Sequence, residues 1–510
     1  MTTGPYTRKS ARSAAFHAIF LRVPAQAATL VGYVVLVRLL SETEFGVYSL
    51  FYAVLPVVGT LLSFGMEDTL RRYQPEYLRK GENRLAYWLT RRIGQLRLIT
   101  TFLFLLIVFA FWNQIAPLFK IADYREHFML FAVLLLSHFQ CQLLSMSLSA
   151  HLMQKYSVGV SAVFSIVKVA GYGVAVAVWK LDLWTAVLAD VVAYCVFFVG
   201  LKYAYLLKAD HRRGTMSRFA PQEAKRLIRY ATYYSFNDAG HLTLDTRKDN
   251  FFLAAYLDAA AAGAYSFAIR FDDMITKVSP ILLLDSVIQP LFVSLDYKHD
   301  TQRVHRYFSL LLTLSLLARL PFVVFIAVYH REIVEVVFAG RFLEYSYLLA
   351  LVALFSLGAV ISTSITLVAQ LEEKAQFILA SKIFGVLGVA ANLILIPLVG
   401  VVGAVIASGT AILLKNLFIW WFVRDLARWT NAKAFATSAA VIWTLFAIVA
   451  QQERLWLAEH KALALIGAVG LLAVFSLVHL RVAFTPEHRA IIGNLFSGRE
   501  RRILQLLGVA

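Results

Sequence analysis

The sequence predicts an all-α integral membrane protein of about fourteen transmembrane helices, built as two parallel six-helix repeats plus a C-terminal helix pair. Three observations carry that expectation. Apolar runs of about 20 residues, enough to cross the hydrocarbon core as a helix, recur along the whole chain. Lys and Arg crowd the loops on one side of these runs, which sets both termini in the cytoplasm. Short segments recur at a fixed offset, the mark of an internal duplication.

Composition supports the first point. Of 510 residues, 60% are hydrophobic and 16% are charged, and the mean hydropathy is +0.68. Soluble domains are about half apolar and about a quarter charged, so this chain has too few polar residues to cover a soluble surface. Period-two alternation is weak, which argues against a β-barrel. Cys141 and Cys195 both lie in apolar runs, leaving no disulfide framework and no Cys/His metal cluster. Arg8, Lys9 and Arg12 precede an apolar run over 14–40. That run is too long for a signal-peptide core and has no cleavage site, so it is expected to be the first span.

The remaining spans are expected near 47–70, 93–118, 127–150, 158–179, 182–206, 230–254, 262–290, 307–329, 345–369, 376–396, 400–423, 434–451 and 462–480. The net charge of +18 would suit nucleic acid if it formed one surface. Its distribution excludes that partner, because the basic segments alternate with the spans. Arg71–Arg92 and Lys202–Arg229 then mark the cytoplasmic side and contact anionic membrane lipids.

The duplication is visible in two places. Gly46-Val-Tyr48-Ser49-Leu50 opens the second span and Gly263-Ala-Tyr265-Ser266-Phe267 opens the eighth, at an offset of 217. Leu40 with Leu257, and Asp68 with Asp285, keep that offset. Thr185-Ala-Val-Leu-Ala189 and Gly403-Ala-Val-Ile-Ala407 match at an offset of 218. An even number of spans separates the copies, so both have the same orientation in the membrane. The expected domains are an N-lobe (1–215), a C-lobe (216–430), an extra helix pair (431–484) and a cytoplasmic tail (485–510).

These segments also carry a family resemblance. Arg38-Leu-Leu-Ser-Glu-Thr-Glu-Phe45-Gly46-Val-Tyr48-Ser49-Leu50, leading into Ser63-Phe-Gly65-Met, resembles the opening of the polysaccharide flippases. These belong to the multidrug/oligosaccharidyl-lipid/polysaccharide exporter superfamily. The stretch from Asp249 to Ala268 resembles that family's junction between spans seven and eight. Phe338-Ala-Gly340-Arg-Phe342 resembles the loop before span ten, and Val402-Gly403-Ala404 the opening of span twelve. The resemblance covers residues 10–425. It implies a multi-pass protein of the bacterial inner membrane that flips a polyprenyl-pyrophosphate-linked glycan to the outer leaflet. The glycan would serve O-antigen, capsule or exopolysaccharide assembly, with a polymerase and glycosyltransferases as possible partners.

Charges inside the spans locate the expected pathway, since each costs roughly 2.5–3.5 kcal/mol at a helix centre. Span seven holds Asp238, His241, Asp245, Arg247, Lys248 and Asp249. All but Arg247 recur at helical spacing, so one face should line water or meet partner charges. Span eight carries Arg270, Asp273 and Lys277 on a stripe, with Asp272 beside it, and span one carries Arg22, Gln26, Thr29 and Tyr33. Guanidinium groups grip phosphate oxygens at any physiological pH. Arg22, Gln26, Arg247, Lys248 and Arg270 are therefore the expected substrate contacts. Asp245, Asp249, Asp273 and Lys277 are the expected coupling or charge-pairing groups, and Asp249 matches an acidic position common in the resembled family. His138, Lys168, Asp190, Arg319 and Lys382 are each single in their spans and read as structural.

Walker A, GxSxG and HExxH patterns are absent from the sequence. No cofactor, metal or catalytic residue is expected, and the chain reads as a transporter rather than an enzyme. The alternative within the superfamily is a cation-coupled multidrug exporter. A membrane polysaccharide polymerase or ligase fits less well, since it would need a large outer loop.

Overall fold

A computed structural model describes residues 8–208, 220–278 and 300–495, with the side chains of 8–23, 154, 208, 277, 278, 375, 494 and 495 outside the description. Among the described residues every regular element is helical. The chain divides into two compact units, Met1–Gly263 and Ala264–Ala510.

The first unit begins with α1 (Arg8–Leu39), α2 (Glu42–Leu61), the amphipathic α3 (Met66–Arg79) and α4 (Asn83–Ala110). It continues through α5 (Trp112–Leu118), α6 (Arg125–Ala150), α7 (Gln154–Val178), α8 (Leu183–Lys208), α9 (Pro221–Leu242) and α10 (Asp249–Tyr256). Helix α1 packs on α7, α6 and α7 pack on α8, and α2 lies against both α9 and α10. A capping box starts α2: Ser41 Oγ accepts from Glu44 N at 3.2 Å, and Glu44 accepts from Ser41 N at 2.9 Å. The chain turns into α3 through Gly65, whose φ of +66° and 2.1 Å approach of a notional Cβ to the Ala231 carbonyl admit only glycine.

Helix α11 (Ala259–Val278) starts as the first unit ends. The second unit holds the rest of it, followed by α12 (Thr301–Val337), α13 (Tyr347–Leu371), α14 (Ala375–Ala380), α15 (Ile383–Val399) and α16 (Val401–Val423). It closes with α17 (Ala432–Trp456), α18 (Lys461–Ala483) and α19 (Pro486–Leu495). Helix α12 is the central post of this unit, buried along much of its length and packed against α13, α17, α18 and α19. Asn431 ties it to the helix pair α17–α18, accepting from Ser309 Oγ at 2.5 Å and donating to Ala483 O at 3.2 Å.

Eleven helices among the described residues are long and apolar enough to cross a membrane, and every one coincides with an expected span. The three expected spans outside that set are the first, seventh and eighth. The first has an apolar described stretch, Pro24–Leu39. The seventh is not one helix but two, α9 and α10, and the eighth, α11, carries Arg270, Asp272, Asp273 and Lys277. The seventh and eighth are the two spans in which the sequence concentrates its charge.

Candidate functional site

The break in span seven organises the charged residues. Helix α9 ends at Leu242, a single 3-10 turn spans Thr246–Lys248, and α10 begins at Asp249. Asp245 caps that turn, its Oδ1 accepting from Arg247 N at 2.8 Å. Lys248 Nζ donates to Asp249 Oδ1 at 3.0 Å and to the Asp245 carbonyl at 3.3 Å. Asn250 Nδ2 returns to the Arg247 carbonyl at 3.1 Å. Asp249 is fully buried and Lys248 nearly so, so the ammonium and carboxylate neutralise each other away from solvent. The interrupted helix corrects one expectation: the single stripe from Asp238 to Asp249 does not exist, because helical periodicity stops at Leu242. Irregular backbone at membrane depth is tolerated where protein buries it or it lines a polar cavity.

The segment after the break is held to α2 at very close range. A Cβ on Gly46 would lie 1.7 Å from the Ala259 carbonyl oxygen, and one on Gly263 would lie 3.0 Å from Gly46 Cα and from the Glu42 oxygen. Nearby, Lys120 Nζ donates to the Leu257 carbonyl. Asp258 opens α11 as Ser41 opens α2, its Oδ1 accepting from Ala261 N at 2.7 Å. Those two caps stand at the same offset of 217 as the glycines.

The other expected site residues are distributed as follows. Gln26 is half-buried on α1, and the side chain of Arg22 lies outside the described ones. Arg270 and Asp273 are half-buried on α11, and the side chain of Lys277 lies outside the described ones. Asp245 is half-buried and Arg247 exposed. Asp285 falls outside the described residues. Asp245, Arg247, Lys248 and Asp249 are thus brought together by the turn.

Two groupings escape a sequence reading. Lys168 on α7 and Asp190 on α8 meet at 3.0 Å, and Asp190 also accepts from Tyr48 at 2.7 Å, Tyr172 at 2.6 Å and Tyr52. Lys168 Nζ stands 5.2 Å from the Tyr52 ring centre and 5.7 Å from that of Tyr172. Asp190, Tyr48 and Tyr172 are sealed from solvent. The carboxylate is fully satisfied, which is what a buried charge requires. In the second unit Arg319 pairs with Asp272, and its Nε and Nη2 donate to Ser356 Oγ at 2.8 and 2.6 Å.

A third buried cation, Arg97 on α4, donates to the Gly59 carbonyl at 2.8 Å, lies 3.5 Å from Glu67 and stacks 4.0 Å from the Phe139 ring centre. Among the described residues each unit therefore buries one arginine against a carboxylate from a neighbouring helix. The only sequence signal for these groups was that each is an ionisable residue inside an apolar run, whose partner lies far along the chain.

Outside the spans, α3 and α9 share a charged surface. Glu76 takes Lys80 at 2.7 Å and Arg226 at 3.3 Å. The hydrogen bond from Lys80, helped by that from Arg226, holds its carboxyl below the usual glutamate range. Among the described residues no group of three or more His, Cys, Asp or Glu is placed to hold a metal ion.

The fold is similar to the lipid II flippase MurJ in its inward closed conformation, at 12% identity over 92% of this chain and 98% of that one, with a TM-score of 0.67. It is similar to an inward-facing multidrug resistance MATE family transporter of the MOP superfamily, at 14% identity over 79% and 95%, TM-score 0.61. It is also similar to a MOP superfamily transporter from Pyrococcus furiosus, at 14% identity over 82% and 96%, TM-score 0.57. No curated protein matches the sequence. The family model described as polysaccharide biosynthesis protein matches residues 35–347, which takes in α2, the break in span seven and the paired glycines, and on that match the chain belongs to this family.

Proposed function

We propose that this membrane protein is a flippase, carrying a polyprenyl-pyrophosphate-linked oligosaccharide from the inner to the outer leaflet for surface polysaccharide assembly. The observation that carries the reading is the family match over residues 35–347, in a chain whose seventh and eighth spans concentrate its charged residues. The fold it shares with a lipid II flippase supports the same cargo class. The protein moves its substrate and catalyses no covalent step.

In this reading the chain sits in the bacterial inner membrane with both termini cytoplasmic, as the bias of its basic loops favours. Two lobes, 1–215 and 216–430, rock about a central cavity, and the helix pair 431–484 flanks a path for the lipid tail. Arg22, Gln26, Arg247, Lys248 and Arg270 meet the pyrophosphate and sugar. Asp245, Asp249, Asp273 and Lys277 exchange partners or protons as the cavity changes sides. Moving one charge through 100 mV provides about 2.3 kcal/mol, so the membrane potential is a sufficient source for a partly charged cargo. A polymerase and glycosyltransferases would act before and after the transfer.

The test is a deletion strain in which polyprenyl-linked glycans are labelled by leaflet while surface polysaccharide is scored. Complete intermediates trapped in the inner leaflet, with surface polymer lost, are the expected result. Normal intermediates with altered drug resistance would instead favour the multidrug exporter, the reading that the similarity to a MATE transporter supports.

A further inference from the structure

A groove of about 340 Å³ runs along the outside of the first unit between α4, α6 and α8. We propose that it is a binding site for an anionic phospholipid drawn from the surrounding bilayer. Its α4 wall is formed by Tyr87, Arg91, Gly94, Gln95 and Leu98, which recur at helical spacing and so present one face about 16 Å long. The groove is polarised along that length. Arg91 on α4 and Lys202 on α8 stand toward the end nearest the loop before α4, while Leu98 and Leu136 line the other end.

Neither cation has a carboxylate partner among the described residues. The Lys202 ammonium stands 5.5 Å from the Phe198 ring, and the groove lining contains no acidic side chain. That contrasts with the other basic surface of this unit, where Glu76 and Glu223 both engage Arg226. A pair of unneutralised cations above an apolar trough complements a phosphodiester above an acyl chain. Basic pockets between transmembrane helices at the membrane surface are where acidic lipid headgroups bind.

The groove faces lipid rather than a protein neighbour within the unit. Leu98 and Leu206 on its rims and Phe102 one turn beyond are all exposed, as residues in contact with hydrocarbon must be. The floor is preformed: Gln140 Nε2 donates to the Gly94 carbonyl at 3.1 Å, and Tyr205 donates to Thr90 at 3.3 Å. The Tyr87 and Tyr205 rings stack at 6.2 Å beside the cationic end. A phosphate seated there meets two cations and a tyrosine edge without displacing an existing ion pair. This site is independent of the cargo and stands whether or not the flippase reading holds.

The test uses the full chain purified in neutral detergent, with phosphatidylglycerol and phosphatidylcholine offered together and retained lipid read by native mass spectrometry. Each cation near a membrane surface contributes roughly 5-fold in affinity for acidic lipid, so the pair predicts a preference of about 25-fold for phosphatidylglycerol. Changing Arg91→Gln and Lys202→Gln together should bring the two lipids to near parity. Removing the same charge elsewhere, with Arg428→Gln and Lys433→Gln, should leave the preference intact. Leu136→Trp, which fills the apolar end and keeps the cations, should lower retention of both lipids in a protein that stays monodisperse. Equal retention by the unchanged protein, or a preference that survives loss of Arg91 and Lys202, would overturn the proposal. Displacement of the lipid by inorganic phosphate alone would overturn it in favour of a free-anion site.

Discussion

Gly46 and Gly263, the matching glycines of the two sequence copies, touch each other: a Cβ on Gly263 would lie 3.0 Å from both the backbone nitrogen and the Cα of Gly46. Close approach of two helices through glycine is the usual way membrane helices gain contact without a hydrophobic drive. The obstruction to a larger residue at Gly46 is backbone, at 1.7 Å, so no side chain can yield. Gly46→Ala should therefore destabilise the protein by about 3 kcal/mol, the upper end for overpacking. Gly263→Ala, whose nearest atoms are at 3.0 Å, should cost less. Thermal unfolding in detergent measures both, and a Gly46→Ala protein as stable as the parent would contradict the contact.

Lys168 and Asp190 should behave as one unit. Removing either partner of a buried pair strands the other, at a cost of about 3–5 kcal/mol, whereas removing both together restores much of it. Lys168→Met and Asp190→Leu should each destabilise strongly, and the double variant should be more stable than either. A double-mutant cycle on unfolding free energies gives the coupling directly. Additive effects would mean that the two side chains act separately.

Asp245 separates capping from charge. Asn keeps an acceptor for Arg247 N and removes the negative charge, while Ala removes both. Asp245→Ala should cost about 1 kcal/mol of local stability, and Asp245→Asn much less. Hydrogen exchange over Thr243–Asn250 reads the capping effect. If Asp245 also has the coupling role proposed for it, Asp245→Asn should impair export in a protein whose turn is intact.

Arg22→Ala and Arg270→Ala should each abolish export while the protein still reaches the membrane in normal amount. Leaflet labelling of the lipid-linked glycan provides the readout. Export at parental rates in either variant would remove that arginine from the substrate path.

His488, on α19, sets a pH dependence outside the spans. Burial pushes its imidazole down to about 4 from the ordinary 6.5, and it is 1% exposed. The folded state thus holds a neutral ring that the unfolded state protonates more readily. The stability this provides is complete above about pH 6.5, declines as pH falls and is gone below about pH 4, a difference of about 3 kcal/mol at most. The protection factors of Pro486–Leu495, with exchange rates corrected for their intrinsic pH dependence, should therefore fall between about pH 7 and about pH 5. His488→Phe, which cannot protonate, should flatten that profile.

Much of this fold can be read from the sequence, because lipid imposes a simple rule of length and apolarity. Every one of the eleven described membrane-length helices falls on an expected span, and Gly46 and Gly263, which match at the repeat offset, touch in the fold. The break after Leu242 was not read, since neither Gly nor Pro stands between Thr243 and Lys248 to announce it. Asp245 was counted as a charge on a helix face when it is the acceptor that starts a new turn. The pairing of Lys168 with Asp190 was hidden for a different reason. Lys168 is solitary within its span and Asp190 stands more than two turns from the other charges of its own, and only the packing of α7, α8 and α2 gathers three tyrosines around them. Local spacing reports what lies along one helix, and this cluster is made across three.

The interruption of span seven also bears on how the chain is made. A nascent helix partitions from the insertion machinery into lipid when its summed apolarity outweighs its charges. Helices α9, α10 and α11 fail that test one by one, because the first two are too short or too polar and the third carries four ionisable residues. They cannot be released in the order of synthesis as independent segments. Their entry depends on earlier helices already in the bilayer, above all α2, whose glycine accepts the start of α11. The same residues proposed to meet a polar cargo thus make its membrane integration a cooperative event, completed only when late segments find early ones.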